Sequence, residues 1–212
     1  MKGYEYKFRN LLKKICYIEG KPNSVIREEF ESDENVNGFI GYGYIDHDAG
    51  FTFEVLACAS KEEDTIKIYK ENDNVTFKSR IRHVMEKEVE VLEDDSFDIK
   101  PFLNKIANLE KLYNGDVEIE ALRDITEIDH LRSNEFPDDV LVLMYKEDVK
   151  PEKCWVRLEG LTENYMQGRL LHELTSSAYG LKTGDVVDLY LMQDENKKIT
   201  LLCLVGDEVC VE

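Results

Sequence analysis

Asp46-His47-Asp48 is the densest piece of local chemistry in the sequence. A histidine between two carboxylates can act as a general base of raised pKa, or can join a site for a hard cation. The triplet runs into Ala49-Gly50, and such a string between two alternating apolar segments is first of all a hairpin turn, where Asp recurs for backbone reasons. Two other places set polar groups beside apolar ones: His172-Glu173 follows Leu170-Leu171, and Trp155 stands between Lys153 and Arg157. A single tryptophan so placed is core or a ligand platform, and core is the commoner role. Lys78, Arg80 and Arg82 alternate, which on an extended segment puts three cations on one face, able to pair with the chain's own carboxylates or to hold an anion.

Other chemistries have no local signature. There is no GxxxxGK[ST] loop, HExxH helix, GxSxG elbow or CxxC pair, and His83 and His130 stand apart from the other two histidines. The reading is therefore of a protein that binds rather than catalyses, with no cofactor. The five cysteines, Cys16, Cys58, Cys154, Cys203 and Cys210, are an odd set, several of them among apolar neighbours. They read as reduced, mostly buried thiols. With no signal-peptide pattern at the first residues and no apolar run of membrane-spanning length, the expected location is cytoplasmic.

The 212 residues carry 27 Lys and Arg against 45 Asp and Glu, a net charge of -18. A surface of that sign repels phosphate backbones and anionic lipid, so neither nucleic acid nor membrane is an expected partner. It favours encounter with a basic protein. Residues 107 to 212 hold 11 basic and 23 acidic side chains, a net of -12, against 16 and 22 before them. The C-terminal half is the expected docking side.

The elements that must position these groups follow from periodicity. Phe8, Leu11, Leu12 and Ile15 have helical spacing, which predicts an amphipathic helix over 5–16. A short helix is expected near Val25 to Phe30. Phe39, Tyr42 and Tyr44, then Phe51, Phe53, Val55 and Ala57, predict a hairpin around Asp46 to Gly50. Extended segments are expected at 65–70, 75–84 and 89–92, making an N-terminal antiparallel sheet with a helix against one face. Glu93 to Ser96 interrupts the pattern, so the expected domains are 1–95 and 96–212. Pro101 opens a helix carrying Phe102, Ile106, Leu109 and Tyr113, and Asn114-Gly115 stops it. A second helix over 117–131 is expected to pack back on the first. Val140 to Tyr145 has the length and continuity of a strand buried on both faces. Strands at 153–158, 166–171, 185–192 and 199–205 complete a C-terminal antiparallel module. The fold class is α+β.

Glu152-Lys153-Cys154-Trp155-Val156-Arg157-Leu158, then Gly168-Arg169-Leu170-Leu171, then Gly180-Leu181-Lys182-Thr183-Gly184-Asp185-Val186-Val187 resembles a small β-rich module of uncharacterised bacterial proteins, some of which accompany toxin-immunity loci. The resemblance covers about 55 residues. It implies a half-open, barrel-like module with the Gly184-Asp185 turn at its rim, and it carries no catalytic residue. Asp185 thus joins Asp46, His47, Asp48, Trp155, His172 and Glu173 as the candidate binding residues. The function expected is an acidic, immunity-like protein-binding module that docks a basic partner. The alternative is an enzyme or a metal-dependent small-ligand-binding protein built on Asp46 to Asp48. An exposed edge strand of the C-terminal hairpin could also pair two copies across a two-fold axis.

Overall fold

The computed structural model describes residues 1–63, 65–70, 72, 74–92 and 97–206. The chain divides into two units, Met1–Asn114 and Gly115–Glu212, and the protein is α+β throughout. The division falls after Asn114, downstream of the 95/96 boundary expected from the sequence; residues 93–96 lie outside the described ones.

In the first unit, α1 (Phe8–Leu11), β1 (Ile15–Glu19), α2 (Ser24–Glu29), β2 (Gly38–Asp46), β3 (Gly50–Glu62), β4 (Thr65–Ile68), β5 (Lys78–Arg80), β6 (Val89–Val91) and α3 (Leu103–Tyr113) follow one another. The strands form an antiparallel sheet in the order β4-β3-β2-β1-β6, with β5 also paired to β3. One face buries Leu11, Phe30, Phe39, Phe53 and Val84. The other buries Ile15, Ile40, Tyr44, Leu56 and Phe102 together with Leu109 of α3. Both faces are thus covered, not one.

Three elements differ from the sequence reading. The helix expected over 5–16 stops at Leu11, because Lys13 takes a positive φ of 56° and turns the chain into β1. Ile15, Cys16, Tyr17 and Ile18 are all buried, and a central strand paired on both sides gains more than an isolated helical turn. Of the extended segment over 75–84, only Lys78–Arg80 is strand, and Ile81–His83 is a 3₁₀ turn. The two central helices fall in different units. α3 belongs to the sheet unit, while α4 (Val117–Asp124), capped by Asp116 on the Ile119 amide at 2.9 Å, belongs to the second. Each apolar stripe is buried against its own unit's strands. α4 is also shorter than expected, and Asp129–Leu131 is a separate 3₁₀ turn.

In the second unit, β7 (Asp139–Lys146), β8 (Val149–Leu161), β9 (Met166–Leu170), β10 (Val186–Gln193) and β11 (Ile199–Leu204) form an antiparallel meander that returns on itself. The ring closes through a parallel pairing of β11 with β7, Leu201 opposite Val142. Since β11 pairs with β10 on its other side, the C-terminal hairpin has no open edge on β11 over Leu201 and Leu202, while β10 pairs with β9 over Val186–Leu189. Val140, Val142, Met144, Cys154, Val156, Leu189 and Cys203 fill the interior with Ile119 and Leu122 of α4. Leu141 and Leu143 face outward and are half-buried. The continuous apolar run at 140–145 is therefore one buried face and one partly covered face. Gly168 permits the close approach of β8 to β9, since a Cβ there would meet Val156 Cγ1 at 2.5 Å. No helix among the described residues is long and apolar enough to cross a membrane.

Candidate binding site

β1 is where the sheet unit becomes chemically interesting. Because it is a strand, Tyr17 and Glu19 project to one face, two residues apart. Tyr17 pairs with Glu90 on β6 and with Ile40 on β2, and Glu19 with Gly38. Glycine is needed at 38 because a Cβ would meet the Tyr17 ring at 2.5 Å, so the ring lies across the strand end. Its hydroxyl donates to Asn37 Oδ1 at 2.8 Å. The Asn37 amide in turn donates to the Lys61 carbonyl at 2.9 Å, and the Lys61 amide returns a bond to Asn37 Oδ1 at 2.9 Å. Asn37 thereby fastens the end of β3 to the tyrosine.

Around this floor opens a cleft of about 570 Å³. Glu19, Glu63, Glu88 and Glu90 line it, with Tyr6 and Tyr17 as its aromatic surfaces. Tyr6 is held by a hydrogen bond from its hydroxyl to the Val89 carbonyl at 3.1 Å. The cations on the same walls are Lys61, which pairs with Glu90 and lies 5.9 Å from the Tyr17 ring centre, and the Met1 amino group, which donates to the Val89 carbonyl. Glu88 lies 3.7 Å from Lys2. Glu19 and Glu63 have no ion pair among the described residues. Burial, and then the charges of Glu19, Glu90 and Glu88, push the Tyr17 hydroxyl up to about 12. Tyr6 is raised by burial and by Cys16, Glu90 and Glu5. Both phenols therefore stay neutral at pH 7, and the cleft presents carboxylates beside aromatic rings, the arrangement that suits an ammonium or guanidinium group.

The residues singled out from the sequence lie elsewhere. Asp46 ends β2, accepts from the Ala49 amide at 3.2 Å and from Arg80 Nη1 at 3.3 Å, and so closes the hairpin turn. His47 is half-buried and Asp48 exposed in that turn. In the barrel unit, Trp155 is half-buried opposite Leu141. His172 and Glu173 are exposed just after β9. Asp185 accepts from the Lys182 amide at 2.8 Å, next to Gly184 at φ 92°. Backbone bonds from Leu171 to Trp155 and from Leu170 to Asp185 bring these three segments to neighbouring strands. No hydrogen bond or ion pair joins the side chains of Trp155, His172 and Asp185 among the described residues. The basic stripe is used within the chain at two of its positions: Lys78 donates to the Tyr113 hydroxyl at 2.5 Å, and Arg80 bonds Asp46 and Thr52. The third cation, Arg82, is exposed beside His83.

No protein-family model, curated protein or solved structure matches this chain. Its own geometry therefore carries the functional argument. Among the described residues no three His, Cys, Asp or Glu side chains are grouped to hold a metal ion. The four described cysteines are free and buried; Cys210 lies outside the described residues. Burial raises Cys16 and Cys203 to about 12 and Cys154 to about 11, so none of these three is a thiolate at neutral pH. The sequence reading does not reach the cleft residues, because the helix expected over 5–16 takes in Ile15 and Cys16 and leaves Tyr17-Ile18-Glu19 without an element. Read as a strand, the same three residues put a tyrosine and a carboxylate on one face.

Proposed function

We propose that the protein is a non-catalytic binding protein that takes a lysine or arginine side chain of a basic protein partner into the acidic tyrosine cleft. The observation that carries this reading is the cleft itself, with four carboxylates and two phenol rings converging on about 570 Å³ in a chain of net charge -18. The overall charge accelerates encounter with a basic surface, and the cleft supplies a place where one cation is held in a defined geometry. On this reading docking falls in the first unit and not in the more acidic C-terminal half expected from the charge count. An immunity-like role, with a basic toxin as partner, is what the resemblance of 152–187 implies, and those residues lie outside the cleft. The alternative built on Asp46 to Asp48 has less support, since the Asp46 carboxylate is occupied by Arg80 and the turn amide.

The test is retention of proteins from a bacterial lysate on the immobilised chain at low and high salt, run beside Glu19→Lys/Glu63→Lys. A basic protein held at low salt, released at high salt and not held by the variant is the expected result. Retention indifferent to both salt and the two substitutions would overturn the reading.

A further inference from the structure

We propose that the group this cleft takes is an arginine rather than a lysine, and that it enters by displacing Lys61, the cation already resident there; this rests on the cation-binding reading of the cleft. Lys61 is placed by its backbone. Its amide donates to Asn37 Oδ1 and its carbonyl accepts from Asn37 Nδ2, each at 2.9 Å, and the same Oδ1 accepts the Tyr17 hydroxyl at 2.8 Å. From that fixed point the side chain passes the Tyr17 ring, with Nζ 5.9 Å from its centre, and ends on Glu90 Oε2. A carboxylate together with a ring face is what a partner's cation would meet, and the protein's own ammonium stands in that place. The other cations on these walls are engaged differently: the Met1 amino group donates to the Val89 carbonyl, and Lys2 faces Glu88 at 3.7 Å.

Two features make Lys61 displaceable. Its side chain is 26% exposed and that of Glu90 is 48% exposed, and an ion pair so solvated is worth at most about fivefold in an equilibrium. Glu19 and Glu63, on the same walls, have no ion pair among the described residues, so the freed ammonium has other carboxylates to turn to. Asp64, beside Glu63, lies outside the described residues and has a side chain of the same sign. The selectivity follows from the resident cation. An incoming lysine offers Glu90 the same point charge it already holds, against a rival tethered in the same chain at an effective concentration on the order of millimolar. A guanidinium offers more than Lys61 does: two parallel N–H bonds to one carboxylate, and a flat face that stacks on a tyrosine ring.

The probes are a blocked pentapeptide of four glycines around one arginine and the same peptide with lysine, titrated into the full chain while the ring resonances of Tyr6 and Tyr17 are followed by NMR. The arginine peptide is expected to bind several-fold more tightly than the lysine peptide. Lys61→Met keeps the stem and removes the charge, and should tighten both peptides by about threefold. Lys61→Arg installs a stronger resident and should weaken the arginine peptide several-fold; it decides the matter alone should Lys61→Met not fold. The two substitutions thus move affinity in opposite directions, which a merely structural lysine would not do. Equal affinity for the two peptides, no tightening in Lys61→Met, or unchanged affinity in Lys61→Arg would each overturn the displacement proposal and leave the cation cleft standing. If neither peptide shifts the two tyrosines in wild type or in Lys61→Met, the cleft reading falls and the displacement proposal falls with it.

Discussion

Arg123 in the barrel unit and Glu54 in the sheet unit are both withdrawn from water, and their surroundings treat them in opposite ways. Arg123 donates from Nε and Nη2 to the two oxygens of Asp138 at 3.0 and 2.7 Å, and from Nη1 to Glu120 at 2.6 Å. Arg132 nearby is spent on the carbonyls of Pro137 and Leu122, and Arg157 is forked onto Asp139. Glu54 is 0% exposed, yet neither of its oxygens has a hydrogen-bond partner among the described residues, nor has the hydroxyl of Tyr44. Lys105 of α3 stands 3.6 Å from Glu54 as an ion-pair partner, and it also donates to the carbonyls of Val55 and Val75 at 3.0 and 2.8 Å. A buried charge is tolerated when its hydrogen bonds are complete and is costly when they are not. The barrel therefore has the character of a scaffold, and the unsatisfied groups lie in the unit that also holds the cleft.

The comparison is broken most severely at Asp138. Asp138→Ala leaves the Arg123 guanidinium buried without its forked partner, and a loss of about 3 to 5 kcal/mol in denaturant unfolding is expected. A loss under 1 kcal/mol would mean that the pair is not the structural element it looks to be.

Glu54→Gln should act in the other direction as pH rises. Burial, opposed by Lys105, keeps the Glu54 carboxyl above the usual carboxylate range. A folded-state pKa above the unfolded one means that the native state holds the proton more tightly. Its stabilising contribution is full below the unfolded value of about 4.3, and it is lost as pH climbs through the raised value; each tenfold difference in proton affinity is worth about 1.4 kcal/mol. Wild type should therefore lose stability relative to Glu54→Gln between mildly acid and neutral pH, as followed by urea unfolding at a series of pH values. Parallel profiles would show that Glu54 is ionised and well paired.

A smaller effect sharpens the picture of the barrel. The Tyr179 hydroxyl shares its one proton between the carbonyls of Met144 and Lys150, at 3.1 and 3.0 Å. Tyr179→Phe should cost about 1 kcal/mol in unfolding at neutral pH, with pH dependence altered only in the alkaline range, where burial holds the Tyr179 proton. The smallest expected change is spectroscopic: Glu19→Gln should lower the ionisation of Tyr17 from about 12, seen as an earlier phenolate absorbance rise in an alkaline titration. If the titration curve is unmoved, Glu19 does not face the ring and the cleft loses one of its walls.

What the sequence determined by itself is what neighbouring residues decide among themselves. Alternating aromatics on either side of Asp46 to Gly50 make the β2–β3 hairpin, and turn formers such as Asp194 to Lys197 set the β10–β11 connection. Pro101 followed by Phe102, Ile106, Leu109 and Tyr113 makes a helix, and inward alternation at Cys154, Val156 and Leu158 makes a barrel strand. Each signal lies within one element and the chain has no cheaper way to satisfy it. Only the tertiary structure could decide the rest. Ile15 continues the helical spacing of Phe8, Leu11 and Leu12, and the sheet drew it with the next four residues into β1 instead by offering β2 and β6 as partners. α3 and α4 are parted by one short turn, and which strands each covers depends on surfaces remote in sequence. The parallel closure of β11 on β7 joins residues about sixty positions apart. The candidate cleft was illegible for the same reason: Tyr6, Tyr17, Asn37, Lys61 and Glu90 carry no common motif, and strand register together with the side-chain bonds of Tyr6 and Asn37 makes them neighbours.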